Sequence, residues 1–362
     1  MERANAALAE YLLQMGAAVH LVSYRIAPAL VAHPMVTAHE CRAPAGSPML
    51  GMWQLDRVGR SVASELKARE PGVRVVVNGT NCDWPDINWI HYVHHAWKAR
   101  PYAAPLWHKA KAGAERWINL RRERRILPRA RLLVANSKRT KDDLLMHLQI
   151  EAGRLHTVYL GTDDAWREIT PSRRAAVRAR LGQPTDRPLV IFVGAMGYDL
   201  RKGFDTLWRA WLQLCTSAEW DARLIVAGGG RMVNAWQKAV TSSGLDASVQ
   251  IVGFTRNVPE LLAAADLLVS PVRYEAYGLN VQEALCCGIP AMVTVSAGVA
   301  EKYPSELREL LICNADDPHE LAFRMRNWRR QMERFRRLTA PLAEQLRSHT
   351  WSKMAEQIVT LA

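Results

Sequence analysis

No apolar run in this sequence approaches the roughly 20 residues that a membrane-spanning helix requires. The longest stretches, such as "LLAAADLLVSPV", are broken by a charge, here Asp266. The six cysteines (Cys41, Cys82, Cys215, Cys286, Cys287 and Cys313) include no CxxC spacing, which argues against a zinc knuckle or a dithiol redox motif. Adjacent Cys286 and Cys287 cannot readily bond each other inside a helix, so all six are expected to be reduced core thiols. The opening residues lack an apolar core followed by a small-residue cleavage site, which gives the expectation of a cytoplasmic protein. Repeats and low-complexity tracts are also missing. Acidic residues are in short supply: 35 Asp and Glu face 48 Lys and Arg, a formal charge of +13. That excess calls for an acidic partner, whether phosphate, nucleic acid or anionic lipid.

What is present is ordinary globular material, 49% hydrophobic and 23% charged, in 362 residues that suffice for two domains. Short β-branched runs alternate with helical segments. Strand-like runs in the first half are "AVHLVS", "GVRVVVNG", "INWIHYV", "RLLVANS" and "LHTVYLG". In the second half they are "PLVIFVG", "ARLIVAGG", "VQIVGF", "DLLVSP" and "PAMVTV", with helices expected at Gly203 to Cys215, Pro259 to Ala265 and Leu279 to Cys287. The alternation predicts α/β architecture with parallel sheets covered on both faces. A charged, turn-rich stretch between Gly161 and Pro188 marks the domain boundary. Thr350 is placed to cap a last short helix.

The stretch "DLLVSPVRYEAYGLNVQEALCCGIPAMVT" reads as strand, loop, helix, stop, strand. Such a loop lies at the carboxyl ends of the strands of a doubly wound sheet, where ligands bind. Two carboxylates flank the turn, Glu275 in the loop and Glu283 in the second turn of the helix. A carboxylate's two acceptor oxygens can bridge a vicinal diol, so Glu283 suits a ribose and Glu275 a sugar hydroxyl. Between them the helix amino end around Gly278 to Asn280 can seat a phosphate. Taken alone, the spaced acids equally suit an exposed helix with solvated carboxylates. A second element, "FVGAMGYDLRKGFDTLWRAW", puts Arg201 and Lys202 at a helix entrance facing the same side, where two cations would neutralise a diphosphate. Lys202 ranks ahead of Arg201.

With these residues in hand, "VGAMGYDLRKGFDTL", "RLIVAGGG", "IVGFTRNVPELLAAADLLVSPVRYEAYGLNVQEALCCGIPAMVT" and "SAGVAE" resemble the donor half of the family 4 retaining glycosyltransferases of GT-B fold. "LLVANSKRTKDDLL" and "VYLGTDDAW" extend the resemblance, more weakly, into the first half. It implies two Rossmann-like, doubly wound domains facing across a cleft. The expected boundaries are an acceptor-side domain at 1–165, a nucleotide-sugar domain at 166–345, and a final helix at 346–362 crossing back to the first domain. The resemblance further implies that Glu283 binds the donor ribose, Glu275 the transferred hexose, and Lys202 with Arg201 the diphosphate. Gly194 to Gly197 would pass close to the phosphates, and the backbone from Gly253 and Phe254 to Asn257 would lie near the base. Ala276, Tyr277, Gly278 and Leu279 complete the implied donor set. Ala195 stands where many relatives carry Arg, and Arg201 is the candidate substitute.

In the first half, "DINWIHYVHHAWK" reads as a strand ending in His94 and His95 at the carboxyl edge, with His91 on the opposite face. It resembles the family segment whose histidine touches the transferred sugar, and His94 is the better match. Catalytic roles therefore fall to His94, Lys202 and Glu275. A metal reading of the three histidines lacks a supporting carboxylate or cysteine spacing. There is no DxD element to hold a divalent cation on a diphosphate, so no metal and no cofactor is expected. The family begins with a strand and a glycine-rich loop, whereas "MERANAALAEYLLQMGAAVHLVS" starts at the following helix, so the first strand is expected to be missing.

From Lys98 to Lys141 fourteen Lys or Arg stand against only Glu115 and Glu123, interleaved with Trp107, Trp117 and Ile118. This segment could lie on an anionic membrane and hold a lipid-linked acceptor, or be a solvated helix face. No groove-reading motif accompanies it, so nucleic acid is not expected as a partner. The functional expectation is a hexosyltransferase moving sugar from a nucleoside diphosphate donor to a saccharide or lipid-linked acceptor, with retention and without metal. The alternative is an inactive, glycosyltransferase-like nucleotide-sugar-binding or scaffold protein.

Overall fold

The computed structural model describes residues 2–42, 48–99 and 102–362. It divides into two units, one of Met1–Lys98, Pro105–Gly161 and Thr350–Ala362, the other of Ala99–Ala104 and Thr162–His349. The first unit runs α1 (Glu2–Gln14), β1 (Val19–Ser23), α2 (Pro28–Val31), β2 (Val36–Glu40), α3 (Pro48–Arg69), β3 (Val76–Asn78), β4 (Ile87–Ile90), α4 (Leu106–Ile126), β5 (Leu132–Ala135), α5 (Lys138–Leu148) and β6 (Leu155–Thr157). The second runs α6 (Pro171–Arg180), β7 (Leu189–Val193), α7 (Phe204–Leu214), β8 (Arg223–Ala227), α8 (Val233–Ser242), β9 (Val249–Gly253), α9 (Val258–Ala264) and β10 (Leu267–Ser270). It continues with α10 (Leu279–Cys286), β11 (Ala291–Thr294), β12 (Leu311–Ile312), α11 (Pro318–Arg330) and α12 (Met332–Arg347). The last helix, α13 (Trp351–Leu361), belongs to the first unit.

In the second unit the sheet order is β12-β11-β10-β7-β8-β9, with every pair parallel. The chain runs outward from β7 through β8 and β9, then returns to place β10 on the other side of β7. Strand order therefore reverses between β7 and β10, and the crevice beyond their carboxyl ends is where a doubly wound sheet takes ligand. Unbroken apolar runs make this geometry: β10 and β11 are buried at all four positions, as two-sided coverage requires. One continuous core surrounds the sheet, with Trp211, Phe192, Trp328 and Phe335 among its largest side chains. Helices start where side-chain caps and prolines permit, as at Thr170 with Pro171 and Asp317 with Pro318.

The first unit carries its parallel strands in two pieces, β1-β2 and β3-β4-β5-β6. Among the described residues no strand precedes α1, and neither β1 nor β3 has a second strand partner. A parallel strand leading into α1 would pair on the open side of β1 by the right-handed crossover rule. Burial follows the interruption: β1 buries only Val19, whereas β4 and β5 are buried throughout. In this unit α13 packs on α1, with the Arg3 guanidinium 5.9 Å from the Trp351 ring centroid. Thr350 caps α13 by accepting from the Lys353 amide at 3.3 Å.

Two sequence expectations need correction here. The strand from "INWIHYV" ends at Ile90, and His94 and His95 lie beyond it in a 3-10 turn, because the polar backbone leaves the ladder at His91. Cys313 is exposed and Cys215 only half-buried, so four cysteines rather than six are core thiols. Arg100, counted in the basic stretch, lies outside the described residues. Strands β2 and β12 were not foreseen: "VTAHE" is polar at alternate positions, and β12 is two residues long.

Candidate functional site

The loops after β7 and β10 meet at the switch point. Glycines make this approach possible at two positions. Gly203 has φ +74°, and a Cβ there would sit 1.9 Å from the Pro271 carbonyl oxygen, so only glycine lets the start of α7 press against the β10 loop. Gly278 has φ +114° at the start of α10, where a side chain would meet Val299 at 3.0 Å.

Arg273 ties the two loops together. Its guanidinium donates to both carboxylate oxygens of Asp205, at 2.8 and 2.7 Å, to Asp316 at 2.8 Å, and to the Leu200 carbonyl. Its amide donates to the Arg201 carbonyl at 2.9 Å. With only 7% of the side chain exposed, this is a buried bidentate clamp that fixes where Lys202 and Glu275 point. From the other side the Gly298 amide donates to the Glu275 carbonyl and the Val299 amide to that of Tyr277, at 3.2 and 2.8 Å. Sequence reading passed over Arg273 and Asp205. Their signal was available: an arginine beginning "RYEAYG" and an aspartate in "KGFD", opposite charges flanking the two loops.

The clamp delivers Lys202 to Glu275. The ammonium is hydrogen-bonded to Glu275 Oε2, and each side chain keeps under a fifth of its surface exposed. Gly194 packs directly beneath: a Cβ there would lie 3.3 Å from Lys202 Cβ. Arg201 donates to the Tyr274 carbonyl at 3.4 Å, one residue before Glu275, and lies 3.9 Å from Asp199. Lys202, Arg201 and Glu275 therefore share one end of the sheet. Gly197 sits in the same β7 loop, against Asp199. Gly253 ends β9, and Phe254 beyond it is 78% exposed, at the carboxyl edge two strands from β7.

Glu283 is placed differently. Its side chain is half-buried and its carboxylate has no hydrogen-bond partner or cation beside it among the described residues, and desolvation, with the nearby charge of Asp163 adding to it, pushes the carboxyl up to about 7. No direct bond joins it to Lys202, Arg201 or Glu275. A partly desolvated carboxyl without a partner is costly unless something else supplies donors, which is the condition a bound diol would satisfy. Ala276 and Tyr277 bury their side chains, and the Tyr277 hydroxyl is spent on Gln282, so neither side chain is offered to a ligand. Helix α10 lacks a side-chain cap at Gly278, which leaves the amides of Leu279 and Asn280 at an open, positive helix end. Asn280 donates to the Val193 carbonyl at 2.9 Å and so pins α10 to β7.

His94 belongs to the first unit and is described within it. Its amide donates to Glu123 Oε1 at 2.5 Å, and the His95 amide and Nδ1 reach Oε2 at 3.0 and 2.6 Å. The Arg116 guanidinium donates to the His94 carbonyl at 3.2 Å. Buried Glu123 thus organises the turn that carries both histidines, a role its place in a basic helix did not advertise. Burial holds the His94 imidazole below its ordinary range, against the opposing pull of Glu123. His91 is half-buried against Trp89, ring centroids 4.5 Å apart, and desolvation pushes its imidazole down to about 3.

Comparison with known proteins adds a second line of observation. Residues 187–330 match the family model described as Glycosyl transferases group 1, and residues 1–166 match Glycosyltransferase Family 4. Among curated relatives, the chain is 29% identical over 180 residues to alpha-D-kanosaminyltransferase of Streptomyces kanamyceticus, covering 49% of this chain and 46% of that one. It is 27% identical over 242 residues to mannosylfructose-phosphate synthase of Agrobacterium fabrum, covering 64% and 52%. The matches thus span about half the length of these relatives. Among solved structures, sucrose-phosphate synthase from Thermosynechococcus elongatus superimposes with a TM-score of 0.76 at 22% identity, covering 98% of this chain and 90% of that one. Anabaena HepE in complex with UDP-glucose gives 0.69 at 17%, covering 99% and 94%. The likeness establishes the fold as GT-B, with a Rossmann-like sheet in each unit.

Proposed function

The chain belongs to the family 4 (group 1) glycosyltransferases, and on that premise we propose that it transfers a hexose from a nucleoside diphosphate sugar to a saccharide or lipid-linked acceptor, with retention of configuration and without a metal. The observation that carries this reading is the set at the β7–β10 switch point: a Lys202–Glu275 ion pair locked by Arg273, with an open helix end and a half-buried Glu283 whose carboxylate has no partner on α10. Several relatives use or bind sugar nucleotides, HepE having been solved with UDP-glucose and a mycobacterial mannosyltransferase being named as GDP-mannose-dependent.

In this proposal Glu283 ionises on accepting the ribose hydroxyls, and the amides of Leu279 and Asn280 meet a phosphate. The diphosphate draws Lys202 away from Glu275, which frees that carboxylate for the sugar hydroxyls, and Arg201 adds charge. The bond between the anomeric carbon and the phosphate oxygen breaks as the acceptor oxygen bonds to the same face. The acceptor's proton passes to the departing phosphate oxygen, so no protein nucleophile is required. Positioning and electrostatic stabilisation then supply most of the rate. With no DxD element in the sequence, the leaving charge falls to Lys202, Arg201 and the helix end. His94 is the first unit's proposed contribution, as a contact to the transferred sugar. The proton-resolved NMR spectrum of product from a UDP- or GDP-hexose tests stereochemistry, and EDTA tests metal independence: an inverted anomer or loss of turnover in EDTA removes those two parts.

Membrane contact is part of the same reading. On α4, Leu106, Trp107 and Trp117 are all more than half exposed, and the exposed positions between and beyond them include Lys109, Lys111, Arg121, Arg124 and Arg125. Apolar side chains rimmed by cations suit the surface of an anionic bilayer and a peripheral, membrane-apposed location. No helix among the described residues is long and apolar enough to cross a membrane. Co-sedimentation with phosphatidylglycerol vesicles but not phosphatidylcholine vesicles is expected, and equal partition to both removes the proposal.

A second reading, a nucleotide-sugar-binding protein without turnover, is favoured by one observation, the interrupted sheet of the first unit. Donor binding with no transfer or hydrolysis by the full chain selects it.

A further inference from the structure

On the second unit, at the far end of α10 from Gly278, lies a cavity of about 290 Å³ into whose wall four arginines are set among small and apolar residues. Arg174 comes from α6, Arg336 and Arg347 from α12 with small Ala340 and Ala343 between them, and Cys287 and Gly288 close the end of α10. Arg178 of α6 completes the set. Spacings of i, i+4, i+7 and i+11 on α12 put its four residues on one face, so the alanines create the hollow and the arginines line it.

Part of this cluster is structural. Asp266 accepts from Arg174 at 3.1 Å, from Arg336 at 3.3 Å and from Arg178, and also from the Leu189 amide at 2.8 Å, which braces the starts of β7 and β10. Arg178 is fully engaged, with its remaining donors on the carbonyls of Ala264, Pro184 and Arg187. The brace does not need the others to this extent. Arg174 Nε is buried with no partner, and Arg347 spends one donor, on the Cys286 carbonyl at 2.6 Å. Arg336 reaches Glu333 as well. Four guanidinium groups line the cavity with one acid, Glu168, and Asp266 stands behind them. Unspent forked donors in a concave, partly desolvated site are the chemistry that recognises a phosphate group bidentately. A water's share of liquid volume is about 30 Å³, so the cavity exceeds what a bare phosphate fills.

We propose that this cavity is a binding site for a phosphate group, separate from the donor site, with room for a small phosphorylated metabolite, its anion held by Arg174 and Arg347. Because Arg347 holds the last turn of α10 and Glu283 stands on the same helix, occupancy bears on the donor site through α10.

Thermal unfolding and calorimetric titration of the full chain test it, with inorganic phosphate and glucose 6-phosphate as separate probes. At tenfold excess over Kd the bound probe should raise the apparent Tm by about 4 °C. General salting effects of phosphate are removed by comparison among variants. The shift should persist in Lys202→Ala, which disables the donor site, and vanish in Arg174→Gln with Arg347→Gln. It should also vanish in Ala340→Phe, which plugs the exposed mouth without touching an ion pair and decides the matter if the arginine variants fold poorly. Tighter binding of glucose 6-phosphate than of phosphate identifies a metabolite as occupant, and equal binding identifies the free anion. A shift lost with Lys202→Ala but kept in Ala340→Phe, or no shift with either probe, overturns the proposal.

Discussion

Replacing Glu283 by Gln should stabilise the unliganded protein, and by an amount that depends on pH. Below about pH 4.5 the carboxyl is protonated in both the folded and the unfolded chain, and its burial costs little. As pH rises from there to about 7, the unfolded chain releases the proton and the folded chain keeps it, so stability drains away. Above 7 both forms are ionised and the whole cost stands. Each pKa unit is about 1.4 kcal/mol, so the interval from 4.5 to about 7 corresponds to about 3 kcal/mol. Glutamine keeps the shape and removes the charge. The variant should therefore gain little at pH 4.5 and about 3 kcal/mol at pH 8, or about 6–12 °C in the transition reporting the second unit. Thermal melts of both proteins at half-unit pH steps give the comparison. In parallel, donor affinity of the parent should fall about tenfold per pH unit below 7, because the bound form is the carboxylate, and the variant should bind weakly at every pH. A stability difference that is flat from pH 4.5 to 8 would refute the claim that Glu283 is a desolvated, partnerless acid awaiting a ligand.

Three further outcomes follow from particular contacts. Arg273→Ala removes the buried cation shared by Asp205 and Asp316 and should cost about 3 kcal/mol in urea unfolding, with KM for the donor raised; an unchanged midpoint contradicts the clamp. Gly203→Ala forces a Cβ against the Pro271 carbonyl at positive φ and should cost at least about 2 kcal/mol, whereas Gly16→Ala, also at positive φ but with nothing within 4 Å, should cost less. Backbone amides of β1 and β2 should exchange with deuterium well before those of β7 and β8, since among the described residues β1 has one strand neighbour and β7 has two; equal protection in both sheets would contradict that difference in pairing.

Much of the second unit was legible because its signals are local. Runs such as "PLVIFVG" and "DLLVSP" are too short and apolar to be surface helices, and the glycines that end them announce loops. Lys202 and Glu275 could be named because each stands at a strand-to-helix turn, where a doubly wound sheet collects its ligands. That they pair with each other was not readable, since the pairing joins residues 73 apart and depends on Arg273 bridging two loops. Glu123 escaped notice for a related reason: within a helix rich in cations it looks like a counter-charge, yet it is turned inward to hold the His94 and His95 amides. The arginine cavity was invisible too, since its residues are drawn from α6, α12 and the turn that follows α10, and only the fold brings them together.

Calorimetric titration of UDP-glucose and GDP-mannose into the full chain, the Lys202→Ala variant and the Glu283→Ala variant reaches the central claim most directly. The parent should bind at least one of the two donors, and each substitution should weaken that binding tenfold or more. Undiminished affinity in both variants would mean that the sugar nucleotide does not dock at the carboxyl ends of β7 and β10.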